Sequence, residues 1–173
     1  MNINIASVLK SDGAQNFSGA LDLGKTEFMG SSLEFCTPVE VSGKVNSIGG
    51  TIEISAEIKG TYKTPCARCG EETEKTLSAV LEESVRADFS DADDEILSLT
   101  GTVLNIEGAL KASIFGSIPI KILCKDDCKG LCTVCGTNKN LNECNCDETV
   151  YDPRFAIFRN LQQRGVENGS SKE

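Results

Sequence analysis

The chain has 173 residues, 39% of them apolar and 5% aromatic with no Trp, and its 17 basic and 26 acidic side chains give a formal charge of -9. That length supports one ordinary domain plus a small appendage, with a core of Val, Ile and Leu rather than of rings. The acidity excludes a protein that simply coats a phosphate backbone, because its summed field would slow the approach to nucleic acid.

Met1-Asn2-Ile3-Asn4-Ile5 lacks the basic flank and apolar run of a signal peptide. No apolar stretch approaches the roughly 18 residues that span a bilayer, so a cytoplasmic protein with no membrane partner is expected. The first 35 residues carry weak signals. Ser7-Val8-Leu9 fits the end of a short strand or a helical turn, and Gly13 to Gly19 reads as a loop. From Val39 the pattern sharpens. Val39, Val41, Gly43 and Val45 alternate, Ser47-Ile48-Gly49-Gly50 supplies a turn, and Ile52, Ile54, Ala56 and Ile58 alternate again. Two half-buried antiparallel strands joined by a Gly-rich turn are predicted.

The second strand runs into Pro65-Cys66-Ala67-Arg68-Cys69-Gly70. Between Thr73 and Phe89, Leu77, Ala79 and Leu81 keep period two while Val80 and Val85 depart from it, which favours a third strand over a helix. Asp88 to Glu95, with five acidic residues in eight, reads as a solvated acidic loop. Ile106, Ala109, Leu110, Ser113 and Ile114 recur at helical spacing, with Asn105 placed to cap the first turn and Pro119 closing the pattern. Asp152-Pro153-Arg154-Phe155 starts a closing helix with the stripe Phe155, Phe158 and Leu161, and from Gly165 onward a disordered tail is expected.

Nine cysteines are too many to leave unexplained. An odd count without secretion argues against a disulfide scaffold, and close pairs in a reducing compartment more often hold metal. Eight fall into pairs: Cys66 and Cys69, Cys124 and Cys128, Cys132 and Cys135, Cys144 and Cys146. Zinc prefers four ligands in a tetrahedron, and two thiolates two to four residues apart can fill two corners from one tight loop. Eight ligands therefore give two sites. The neatest division makes one from Cys132, Cys135, Cys144 and Cys146, and the other from Cys66, Cys69, Cys124 and Cys128. Gly136 just after Cys135 lets that knuckle turn its amides toward sulfur. The single-residue spacing of Cys144 and Cys146 leaves one of them open to being a spectator. The same ligands would hold an iron-sulfur centre. A redox role for Cys66 and Cys69 lacks the βαβ context it needs, and Cys36 is expected to be a buried small hydrophobe.

A catalytic zinc keeps a position open for water and often uses His, and this chain has no His. Its absence removes His-dependent nucleophile and base pairings, no motif points to Ser/Lys chemistry, and Gly101, Gly108 and Gly116 make no phosphate-cradling loop. No catalytic residue and no small-molecule substrate are expected. Residues 1 to 120 hold nine basic and eighteen acidic residues, and residues 121 to 173 hold eight of each. Lys121, Lys125, Lys129 and Lys139 around the cysteines either offset thiolate charge or touch RNA phosphates, with no aromatic nearby to stack a base.

The run from Cys66-Ala67-Arg68-Cys69 to Leu123-Cys124-Lys125-Asp126-Asp127-Cys128-Lys129-Gly130-Leu131-Cys132-Thr133-Val134-Cys135-Gly136-Thr137-Asn138 resembles the bacterial YceD family. That family is also called the large-ribosomal-RNA-subunit accumulation family. Asn140-Leu141-Asn142, Cys144, Cys146 and Asp152-Pro153-Arg154 match it too. Departures are Thr133 where members commonly have Pro, a helix poorer in Leu at Ala112-Ser113-Ile114-Phe115-Gly116, and an extra loop residue in Asn138-Lys139-Asn140-Leu141.

The resemblance implies a non-catalytic part in accumulation or processing of large-subunit (23S) rRNA. The partner would be an rRNA precursor or, for an acidic adaptor or chaperone, a basic ribosomal protein. The expected fold is α+β: an antiparallel β-sheet with a packed short helix and a C-terminal cysteine-ligated module holding structural zinc, two ions in all. Residues 1–120 would form the sheet domain with the acidic loop and amphipathic helix. Residues 121–164 would form the zinc-binding module with its closing helix, and 165–173 the tail.

Overall fold

The computed structural model describes residues 1–11, 13–86 and 97–147; the acidic loop, the closing helix and the tail expected from sequence lie outside them. The chain divides into two compact units, Met1–Cys128 and a second that begins at Lys129. The first is α+β with antiparallel pairing throughout. Its elements are β1 (Asn2–Asn4), α1 (Ala6–Ser11), β2 (Ala14–Leu21), β3 (Lys25–Phe28), β4 (Ser31–Phe35), β5 (Val39–Ile48), β6 (Thr51–Pro65), β7 (Glu72–Arg86), β8 (Ser98–Thr100), β9 (Val103–Asn105) and α2 (Glu107–Ser117).

The predicted hairpin forms as β5 and β6, in register from Glu40↔Lys59 to Ile48↔Thr51. Gly49 and Gly50 bridge it with φ +57° and +81°. Two consecutive positive φ angles match the right-handed twist of a two-residue hairpin, and only glycine takes both without steric cost. β6 is the spine of the six-stranded sheet. One edge pairs with β7 over all of Thr51–Pro65. The other is shared, with β5 along Thr51–Lys59 and β4 at Tyr62 and Lys63. A Cβ at Gly43 of β5 would overlap the Ser55 carbonyl oxygen and crowd Ala56, so the hairpin has no room for a side chain at that position.

Ile52, Ile54, Ala56 and Ile58 point inward with Val39, Val41 and Val45 of β5 and Leu77, Ala79 and Leu81 of β7. Each fully buried Ile or Val contributes about 1.5–3 kcal/mol. Val85 keeps the inward phase of β7, contrary to the sequence expectation, and Glu83 is the residue that leaves it; Val80 faces out. Helix α2 packs on β7 through a core of Ala109, Leu110 and Ile114. Asn105 Oδ1 accepts the Glu107 amide at 2.9 Å, and Pro119 follows the extended Ile118 that ends the helix. Two further corrections concern the first 36 residues. Gly13 to Gly19 is mostly strand, because β5 supplies a paired edge for Ala14–Leu21 that no local β-propensity announces. Cys36 is exposed, since strand alternation buries Leu33 and Phe35 and turns the next side chain outward. β1, β8 and β9 form a separate three-stranded sheet.

Glu107 accepts from Lys111 at 2.7 Å and from the Met1 amino group at 2.9 Å. The Lys111 hydrogen bond, then that of the amino group, holds its carboxyl down at about 2 against an ordinary 4.5. A depressed folded-state pKa stabilises above the unfolded value, and that stabilisation disappears as pH falls through the folded one. Acid unfolding of the wild type should therefore steepen between pH 4.5 and about 2 relative to Glu107→Gln. Identical pH profiles for the two proteins would remove this contribution.

Candidate metal centres

Two turns of the chain share one backbone design. Cys66-Ala67-Arg68-Cys69-Gly70-Glu71 joins β6 to β7, and Cys132-Thr133-Val134-Cys135-Gly136-Thr137 opens the second unit. In the first, the Cys66 amide donates to the Glu71 carbonyl at 2.8 Å and the Gly70 amide to the Cys66 carbonyl at 2.9 Å. In the second, Cys132 donates to Thr137 at 2.8 Å and Gly136 to Cys132 at 2.9 Å. Gly70 and Gly136 have φ +74° and +73°, the left-handed conformation that closes each loop. Each turn aims an amide at its first sulfur: Arg68 N lies 3.5 Å from Cys66 Sγ, and Val134 N 3.4 Å from Cys132 Sγ. These amides stabilise negative sulfur.

The hairpin turn meets the segment after α2. Cys66 Sγ lies 3.8 Å from Cys128 Sγ, and Cys69 Sγ lies 3.7 Å from Cys124 Sγ. All four sulfurs fall within 4.8 Å of one another, and Cys66, Cys69 and Cys128 are buried with Leu123 packed beside them. In the second unit Cys132, Cys135, Cys144 and Cys146 meet the same distance limit. Cys132 is buried, Cys135 exposed, and Cys144 and Cys146 half-buried. Asn140 Oδ1 accepts the Lys129 amide at 2.9 Å and the Lys139 amide donates to Gly130 at 2.9 Å, so the extra loop residue folds back onto the start of the knuckle. The sulfurs of Cys144 and Cys146 both lie within that distance of the other two.

The donor chemistry fits a soft divalent ion. Four thiolates placed about 2.3 Å from a tetrahedral zinc stand about 3.8 Å apart, and the sulfur contacts of the hairpin set are 3.7 and 3.8 Å. A disulfide would need about 2.05 Å, and none of the nine cysteines is disulfide-bonded. The sulfurs also resist ionising together. For Cys66 burial works upward, but the Arg68 and Cys69 amides outweigh it and hold the thiol down at about 6. Burial, then the neighbouring Cys128 and Cys69, pushes Cys124 up to about 12. Cys135, bonded to Thr137, sits at about 6, while Cys146 is pushed up to about 12 by Cys135, burial and Cys132. A cation is what would let all four sulfurs in each set carry charge at once.

The family described as large ribosomal RNA subunit accumulation protein YceD matches residues 54–162, more than half of the chain. The chain belongs to the YceD family. The match takes in all eight paired cysteines and starts inside β6, so it spans the β6–β7 hairpin, α2 and both sulfur clusters. No curated protein and no solved structure matches the chain. In this YceD member no helix among the described residues is long and apolar enough to cross a membrane.

Proposed function

We propose that this YceD protein is a non-catalytic factor in large-subunit rRNA accumulation whose two cysteine tetrads each hold one structural zinc ion. The observation that carries the reading is the grouping of eight cysteines into two sets of mutually close sulfurs, in a family named for large-subunit rRNA accumulation. Cys66, Cys69, Cys124 and Cys128 would hold the first ion, and Cys132, Cys135, Cys144 and Cys146 the second. With four thiolates per ion, the zinc supplies a cross-link and leaves no position for a substrate. The protein's own residues then present surfaces. In the second unit Lys129 and Lys139 line a cavity of about 350 Å³ beside Cys144 and Cys146, and these lysines would meet phosphates of an rRNA precursor.

A second reading follows from the acidity of residues 1 to 120, which carry eighteen acidic residues against nine basic ones. Such a surface would suit a basic ribosomal protein, making the chain an adaptor. Elemental analysis of protein from zinc-supplied cells should find about two equivalents of zinc, and iron with visible absorption would overturn the metal assignment. Binding to large-subunit rRNA fragments and to basic large-subunit ribosomal proteins over a salt series then separates the two partners. Binding to neither would sink both readings.

A further inference from the structure

The two knuckles match in their backbones but not in the side chain two residues after the first cysteine. In the hairpin turn that residue is Arg68; in the second it is Val134, 55% exposed. Arg68 Nη1 donates to the Cys128 carbonyl oxygen at 2.8 Å, across 60 residues of sequence. The neighbouring Ala67 amide donates to the Ile122 carbonyl at 2.8 Å. Both bonds fasten the hairpin to the 122–128 segment without any metal, and one of them lands on a tetrad residue.

We propose that Arg68 is the positioning residue of the hairpin tetrad, holding the Cys128 backbone beside Cys66 and Cys69 and setting a permanent positive charge against the four sulfurs. The proposal rests on the two-zinc reading. Four thiolates around a divalent ion carry a formal charge of minus two, which a guanidinium offsets. Arg remains charged at every relevant pH, and its planar fork keeps its direction where a Lys ammonium swings. Arg68 touches this tetrad twice, through its own amide to Cys66 Sγ at 3.5 Å and through its side chain to Cys128. Groups that orient metal ligands in this way are worth about 10–100-fold in metal affinity. Val134 offers no such side-chain bond, so the second tetrad is an internal control within the same molecule.

The test uses the full-length, metal-loaded protein and its Arg68→Ala and Arg68→Lys variants. Zinc release to a chromogenic chelator is followed alongside alkylation of each cysteine, resolved by mass spectrometry. Arg68→Ala should release one of two zinc equivalents about 10–100-fold faster. Cys66, Cys69, Cys124 and Cys128 should be alkylated correspondingly earlier, while Cys132, Cys135, Cys144 and Cys146 keep wild-type rates. Arg68→Lys should fall between, keeping the charge without the fork, and it serves if the Ala variant does not fold. Unchanged rates at the hairpin cysteines would overturn the proposal. Equal acceleration of both tetrads would also overturn it, because that is general loosening. A wild type holding a single equivalent would remove the two-zinc reading. The alkylation pattern would still decide for or against Arg68.

Discussion

Cys128→Ser is expected to lower zinc content from about two equivalents to about one and to destabilise the first unit by about 4 kcal/mol. A serine hydroxyl is a hard and mostly protonated ligand, so the remaining three thiolates hold a soft ion poorly. The second loss is one of chain entropy. Cys69 and Cys124 are 55 residues apart, and a cross-link closing a loop of that length is worth about 4 kcal/mol in the chain-entropy model. Against a total stability of about 5–15 kcal/mol, such a loss lowers the melting temperature by roughly 10 °C. The effect should reach the strands, because Cys66 and Cys69 close the far end of the β6–β7 hairpin. Amide exchange at that end should speed up with the metal loss. Cys36→Ser is the control: its sulfur is exposed and belongs to neither tetrad, so both equivalents should remain. A Cys128→Ser protein that kept two zinc ions would remove Cys128 from the ligands.

Reversing Lys129 and Lys139 to Glu should weaken binding to large-subunit rRNA fragments about a hundredfold at low salt while leaving zinc content unchanged. Each charge-assisted hydrogen bond to a phosphate is worth about 1.5 kcal/mol, and two such losses multiply. The slope of log affinity against log salt should fall by about two, one for each phosphate no longer neutralised. Both lysines belong to the second unit and line its cavity, so the variant tests that surface alone. Lys125, grouped with them in the sequence, lies in the first unit and needs its own variant. In cells, the double reversal should lower large-subunit rRNA at equal protein abundance. Normal rRNA with intact metal would leave the acidic surface of residues 1 to 120 as the working face and favour the adaptor reading. Loss of zinc in the variant would instead mean that these lysines serve the thiolates.

Elements whose physics is local can be read directly from the residues. The β5–β6 hairpin was legible because alternating Val and Ile residues flank Gly49-Gly50, and both the pairing and the turn are settled within about twenty residues. Helix α2 was legible from its apolar spacing and from Asn105 before it. Each knuckle announced itself through two cysteines and a following glycine, since that short loop makes its own hydrogen bonds.

Features that depend on distant partners emerge only in the folded chain. Ala14–Leu21 has no β-branched residue and becomes a strand because β5 offers it hydrogen bonds. Ser98–Thr100 becomes a strand by pairing with Val103–Asn105, which pairs on its other edge with Asn2–Asn4. Cys36 looked like core filling by composition, yet the register of β4 turns it to solvent. Spacing made the sulfur grouping the neatest of several. What brings Cys124 and Cys128 to Cys66 and Cys69 is the return of residues 122–128 to the hairpin end, held there by Ala67 and Arg68. Those two hydrogen bonds join residues more than fifty positions apart, and no local pattern encodes a contact at that range.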